Sequence, residues 1–311
     1  MHVHLGVNFS PRPGVSQFTS YEVTARLMLY VSMVGFLDLT VFREDARFNL
    51  HTRHAEPRNS TRSTLRSRRL DLLGADAYLA ARPVFPFGEG AFCSGSFSEE
   101  RPVETPEDER REIDDIVRTR APDVMMLTYQ PNQRRLPSID RATMAAAIER
   151  ARERGLKTVV QVESWSAAIE AIKAGAAAIT QVPEGPIPGA PIAALRAHQA
   201  LWIPTLSVHA GLADFRGNED LLGNPLVEAL TRERLHASYV FEGALLPIMR
   251  MQAAAQRQKR SVYLASVARA AAAGVPILAG SDAGLPGTFQ GFSIHRELAL
   301  LVEAGLAPRY H

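Results

Sequence analysis

The chain predicts an α/β fold in which βα units repeat until a parallel sheet closes on itself as a (β/α)₈ barrel. Three observations carry this. Ala-rich helical stretches end at glycine and lead into short runs rich in β-branched residues. Those runs are apolar throughout instead of alternating, as strands are when both faces are covered. Eight of them can be counted along 311 residues, and one such barrel takes ~250 residues, leaving room for long loops. A doubly wound open sheet uses the same units and is the alternative.

Taken in order, strand 1 is expected at His2 to Leu5, a helix at 21–33, strand 2 at Phe36 to Val41 and strand 3 at Ala77 to Val84. The Gly-, Ser- and Phe-rich segment 85–104 reads as a loop. Thr105 before Pro106 is a helix start, a capping hydroxyl followed by a residue whose missing N–H costs nothing there. That helix reaches about Arg120, and strand 4 follows at Val124 to Thr128. The second half is more regular. Helix 139–154 stops at Gly155 before strand 5 (Thr158 to Val162), and helix 164–174 stops at Gly175 before strand 6 (Ala178 to Val182). Helix 190–200 precedes strand 7 (Ile203 to Val208), and a long helix closing at Gly274 precedes strand 8 (Val275 to Gly280).

Composition narrows the functional classes. The formal charge of +2 is small for this length, with acids and bases interspersed, so nucleic acid is not an expected partner. The basic run Arg58 to Arg69 reads as a solvated loop or the start of an amphipathic helix, and the lack of aromatic interleaving argues against an anion- or nucleic-acid-binding role. Cys93 is the only cysteine, so no disulfide forms within the chain. The first residues lack a cationic and apolar leader pattern, and no apolar stretch reaches the ~18 residues of a membrane span. A cytoplasmic protein with no membrane partner is expected.

Functional groups of such a barrel sit at the C-terminal strand ends. There strand 1 carries His2 and His4, whose i, i+2 spacing puts both imidazoles on one face, able to grip one metal ion. Strand 8 ends in Gly280-Ser281-Asp282-Ala283-Gly284, placing a carboxylate at the mouth as a metal ligand, a general base, or both.

This ordered set resembles the amidohydrolase superfamily. A His-x-His on strand 1, an Asp closing strand 8, the stretch GFSIHRELALLVEAGLAP (291–308) and the phrase GLKTVVQVES…AIEAIKAGAAAITQVP are similar to its imidazolonepropionase- and prolidase-like metal-dependent hydrolases. The resemblance implies a TIM barrel, a divalent metal (zinc foremost), a small-molecule substrate and a homo-oligomer. It also implies hydrolysis of an amide-type C–N bond by metal-activated water, with Asp282 taking the proton. Compared with that pattern both ends look clipped and the usual flanking β-sandwich is lacking, so a single domain over 1–311 is expected.

The departures point to a degenerate site. Where the resemblance calls for histidines on strands 5 and 6 the chain has Gln161 and Gln181, and where a carboxylated lysine often bridges two metals it has Met126. Its three lysines, Lys157, Lys173 and Lys259, fall at the start of strand 5 and on helices, which excludes a lysine-bridged binuclear centre. His2, His4 and Asp282 remain, with Glu163 two residues beyond Gln161 as a fourth oxygen. Amide oxygens are poor substitutes for imidazole, and a hydrogen bond between Gln161 and Gln181 across the barrel is the competing expectation. His209 and Tyr129 are pocket candidates. Arg134, His51 and His54 lie near the rim, and His198, His236 and His295 read as surface or capping groups. Two functions follow: a hydrolase with weakened metal binding, or a silent barrel kept for binding or assembly.

Overall fold

The computed structural model describes residues 2–3, 7–8, 17–18, 35–38, 76–81, 105–120, 124–132, 138–213, 243, 245–283, 287–289 and 292–307. His4, His51, His54, Arg134, His236, the 58–69 arginine run, the expected helix at 21–33 and the 85–104 loop lie outside them. Nine strands are described: β1 (His2–Val3), β2 (Val7–Asn8), β3 (Gln17–Phe18), β4 (Gly35–Asp38), β5 (Asp76–Ala81), β6 (Val124–Tyr129), β7 (Thr158–Val162), β8 (Ala178–Thr180) and β9 (Leu201–Ile203). The described helices are α1 (Pro106–Arg120), α2 (Arg141–Glu153), α3 (Trp165–Ala174), α4 (Gly189–Ala197), α5 (Leu206–Ala213), α6 (Leu245–Ala272) and α7 (Ser293–Glu303).

One parallel sheet runs β1-β4-β5-β6-β7-β8-β9, and β2 pairs antiparallel with β3 in a separate hairpin that sequence reasoning did not foresee. Apart from the hairpin, every strand lies beside its neighbour in sequence. The order never reverses, whereas a doubly wound sheet reverses at its first strand. An eighth position follows β9. Trp202 bridges Ile277, its N–H donating to the Pro276 carbonyl at 3.0 Å and its carbonyl accepting from Leu278 N–H at 2.9 Å. Closure of the sheet between that segment and β1 is not seen among the described residues.

Local chemistry explains the elements. Thr105 Oγ accepts from Asp108 N–H at 3.2 Å while the Asp108 carboxylate accepts from Thr105 N–H at 3.2 Å, a reciprocal cap that starts α1 where the sequence puts it. Asp140 caps α2 through Thr143 N–H (2.7 Å), and Ser164 caps α3 through Ala167 N–H (3.2 Å). Gly175 ends α3 at φ 103°, a left-handed conformation a side chain would resist.

Side chains alternate between two cores. Met125, Leu127 and Tyr129 of β6, Val160 and Val162 of β7 and Trp202 of β9 pack with the covering helices. Val124, Met126, Val159, Ala178 and Ile203 form a second, smaller cluster on the opposite face. A strand buried on both sides has no polar face to show, which is why these runs read as continuously apolar. Among the described residues no helix is long and apolar enough to cross a membrane.

One expected strand is corrected. Strand 7 was predicted over Ile203 to Val208, but β9 ends at Ile203 and α5 begins at Leu206. Pro204 cannot donate to the ladder, and Thr205 turns the chain at φ 50°.

Candidate active site

The C-terminal strand ends build a polar layer above the inner apolar cluster. Strand register puts Met126 beside Val159 and Val159 beside Ala178; two residues on, Thr128 aligns with Gln161 and Gln161 with Thr180. Parallel partners point the same way, so the inner face passes from thioether and aliphatic groups to hydroxyls and an amide within one residue pair. Glu163, just past the end of β7, accepts from Asn132 N–H at 3.2 Å and from Asn132 Nδ2 at 3.4 Å through one oxygen. Its other oxygen is buried and has no hydrogen-bond partner among the described residues.

Asp282 is 1% exposed and left-handed at φ 49°. Few residues besides glycine adopt that conformation, and Asp is among those that do. Gln181, also left-handed at φ 78°, donates from Nε2 to Asp282 Oδ2, and its backbone is fixed by Trp202 Nε1 donating to its carbonyl at 2.9 Å. The segment around Asp282 is tied down on both sides. Thr288 Oγ donates to the Asp282 carbonyl at 3.2 Å, and Ser207 Oγ lies 3.0 Å from the Ser281 carbonyl.

Ser207 leads to a residue the sequence reading did not single out. Glu297 on α7 is fully buried, and its carboxylate accepts from Leu206 N–H (3.0 Å), Ser207 N–H (2.7 Å) and Ser207 Oγ (2.8 Å). It thereby caps the N-terminus of α5, where unpaired N–H groups and the helix dipole favour an anion. The other end of α5 receives Arg296 on the Ala210 carbonyl (2.7 Å) and Arg257 on the Ala213 carbonyl (2.6 Å). Burial pushes the Glu297 carboxyl up to about 7 against the pull of those donors, with the Asp282 charge adding to the rise. The sequence held a signal for it: Glu297 shares a helix face with Ile294, Leu300 and Leu301, all buried.

His209 lies on α5, not on the loop that a longer strand 7 would have left it on. Its ring stands 4.5 Å from that of Tyr263, tilted by 44°. Burial holds its pKa below the ordinary histidine value; the Gln256 side chain beside it, and more weakly the Asp282 and Glu184 charges, work the other way.

The sequence candidates thus divide. Gln181 and Asp282 are brought together, while Gln161 stays on β7 and Glu163 falls just past its end. The expected bond between Gln161 and Gln181 is replaced by the one from Gln181 to Asp282, because the left-handed turn after Thr180 carries the Gln181 amide toward the last sheet position. Met126 is in the apolar cluster, 1% exposed. Tyr129, expected at a pocket, is a correction. Odd residues of β6 face the helices, so its ring is buried there and its hydroxyl donates to Glu170 of α3. Lys259 reaches further than expected, pairing with Glu184 beyond the end of β8. His198 and His295 are exposed, as surface groups should be. His2 lies on β1, at the sheet edge opposite the 275–279 segment.

A divalent ion, which the resemblance implies, fits the described donors badly. No group of three His, Cys, Asp or Glu able to hold a metal occurs among them. Met126 offers only a thioether inside an apolar cluster, and an amide N–H of Gln181 occupies one oxygen of the carboxylate that would have to ligate.

No family model and no curated protein matches the chain. Solved structures do. A Xaa-Pro dipeptidase with bound methionine in its active site aligns over 98% of this chain and 70% of its own, with a TM-score of 0.66 and 16% identity. The ochratoxinase of A. niger aligns over 99% of this chain and 66% of its own (TM-score 0.59, 15% identity). A bottromycin amidohydrolase aligns over 92% and 60% (TM-score 0.54, 16% identity). Identities this low establish a shared fold, and the chain spans about two thirds of those proteins.

Proposed function

We propose that this chain is an amidohydrolase-type (β/α)₈ barrel directed at an amide-type C–N bond of a small molecule, with its metal centre reduced to His2, His4 and Asp282. The observation that carries this reading is Asp282 itself: a buried carboxylate, left-handed, at the C-terminal end of the last sheet position. Active sites of closed (β/α)₈ barrels lie at that face. In this reading the 275–279 segment and β1 are neighbours, which would put His2 and His4 beside Asp282. The carboxylate is then the proton acceptor for the attacking water. The names of the structural neighbours, a dipeptidase and an amidohydrolase among them, favour amides and dipeptides as the substrate class.

The same site favours a second reading through one contact. The Gln181 amide already occupies an oxygen of Asp282, as expected of a barrel that has exchanged a cation for a polar clasp and no longer turns over.

Metal analysis of protein purified without chelators tests the centre. Well under one equivalent of zinc, manganese or iron per chain is expected, and a stoichiometric, tightly held ion would overturn the weakened centre. Restoring imidazoles with Gln161→His and Gln181→His together should raise zinc uptake. Unchanged uptake would show that His2 and His4 do not meet Asp282. Hydrolysis of a dipeptide and N-acyl amino acid panel by the wild type sustains the hydrolase reading; inertness of both the wild type and the zinc-loaded double variant leaves the silent one.

A further inference from the structure

We propose that Glu297 is a positioning residue for Asp282 that acts through one shared hydroxyl: with a proton on Glu297 the Ser207 hydroxyl holds the Ser281 carbonyl, and without it the carboxylate takes that hydroxyl for itself. The geometry poses the choice. Ser207 Oγ lies 2.8 Å from Glu297 Oε2 and 3.0 Å from the Ser281 carbonyl oxygen. A hydroxyl has one proton to donate, so it serves one of the two acceptors at a time. Ser207, Ser281 and Glu297 are each at most 1% exposed, so bulk water does not serve the other.

The proton on Glu297 sets the direction. An ionised carboxylate only accepts, and a charge-assisted bond is stronger than one to a neutral carbonyl, so the Ser207 proton points to Oε2. The Ser281 carbonyl then loses this hydroxyl as a donor. A protonated carboxyl reverses the chain. Its Oε2–H donates to Ser207 Oγ, while Oε1 still accepts from Leu206 N–H and Oε2 from Ser207 N–H. The Ser207 hydroxyl now donates to the Ser281 carbonyl. Burial raises the Glu297 carboxyl to about 7, and the Asp282 charge also opposes its ionisation. Charged groups on the helices around it are turned elsewhere. Arg257 of α6 and Arg296 of α7 bind carbonyls of α5, and Arg269 of α6 binds that of Ile187. Lys259 and Arg260 of α6 pair with Glu184 and Glu303, and Arg250 and His295 are exposed. Burial holds His209 of α5 below the ordinary histidine value.

The consequence falls on Asp282, the residue after the Ser281 carbonyl. Thr288 holds the Asp282 carbonyl and Gln181 its carboxylate, and the Ser207 hydroxyl is the hold on the preceding peptide. A protonated Glu297 therefore goes with a fixed Asp282 turn and an ionised one with a looser turn. That this serves catalysis rests on the hydrolase reading, whereas the choice made by the hydroxyl does not. The two fail separately, since the test reads a hydrogen bond and requires no turnover.

Ser281-Asp282 is the one Ser-Asp pair in the sequence, so carbonyl-¹³C serine with ¹⁵N-aspartate singles out the Ser281 carbonyl of the full chain by NMR. Its ¹³C signal should move upfield in one step as pH rises through about 7, as the hydroxyl leaves it. The Glu297 ¹³Cδ signal, identified by its loss in Glu297→Gln, should titrate with the same midpoint. In Ser207→Ala the Ser281 step should be lost. The proposal is overturned by a Ser281 signal that stays flat from about pH 5 to about pH 9 in the wild type, or by a midpoint that differs from that of Glu297. It is equally overturned by a step that survives Ser207→Ala, which would mean that the Glu297 charge acts through space and not through the hydroxyl. The Ser281 readings on the wild type and Ser207→Ala decide even where Glu297→Gln does not fold.

Discussion

At Glu297 a single side chain joins two helices and the turn that presents Asp282. It accepts three hydrogen bonds in a fully buried setting, and Ser207 Oγ stands between it and the Ser281 carbonyl. Removing the acceptor strands the two α5 N–H groups away from water. Glu297→Ala should therefore destabilise the chain by about 2–4 kcal/mol, from unsatisfied donors plus the cavity, measured by urea denaturation. Ser207→Ala removes one donor and leaves its partners other contacts, so about 1 kcal/mol is expected. A loss as large from Ser207→Ala as from Glu297→Ala would show that the hydroxyl, not the carboxylate, holds α5. Glu297 was legible in the sequence as a charge on an apolar helix face. Its partner was not, because the strand expected over Ile203 to Val208 hid a helix N-terminus at Leu206 in need of an anion.

Among the elements, α5 is the one the sequence least announces and the tertiary structure most constrains. It crosses the 287–289 segment so closely that an added Cβ at Gly211 would stand 2.5 Å from the Gly287 carbonyl oxygen, and one at Gly287 2.8 Å from the Gly211 carbonyl carbon. Backbone cannot step aside as a flexible side chain can. Gly211→Ala should cost about 1–3 kcal/mol or more by overpacking. Gly287→Ala adds a strained left-handed conformation at φ 82° and should cost more. Thermal melts of both variants check the order, and a harmless Gly211→Ala would mean that α5 does not approach Gly287. The βα units from α2 to β8, by contrast, were plain in the sequence because each signal is local: Asp140 and Ser164 cap within three residues, and Gly175 stops its helix in place. The contacts that seat α5 span 44 to 91 residues of sequence, from Ala213 to Arg257 and from Leu206 to Glu297, where no short-range pattern reaches. The site divides likewise. Asp282 and Gln181 were visible as strand-end residues, but their bond depends on two left-handed turns that no local pattern prescribes.

Over the whole molecule, two buried acids make stability a function of pH. Glu109 on α1 is 1% exposed, neither oxygen has a hydrogen-bond partner among the described residues, and burial, helped by Glu112, pushes its carboxyl from 4.5 up to about 8. Glu297 is raised to about 7, also mainly by burial. An acid whose pKa is higher folded than unfolded binds more protons in the native state between the two values. Its contribution is full below about 4.5 and declines as pH rises through that window. Asp114 acts oppositely: hydrogen bonds from Arg150 and Arg154 hold it at about 2, so its contribution is lost only as pH falls below its ordinary value of 3.8. The melting temperature of the wild type relative to Glu109→Gln should therefore fall as pH rises from about 5 to about 8 and level off above that, since the amide carries no proton to lose. Because Glu109 has no hydrogen-bond partner to abandon among the described residues, Glu109→Gln should be nearly neutral at about pH 5 and stabilising at about pH 8, where the wild type must either ionise a buried carboxyl or open around it. Parallel melting curves for the two proteins across that range would place Glu109 in contact with water instead of in a buried setting.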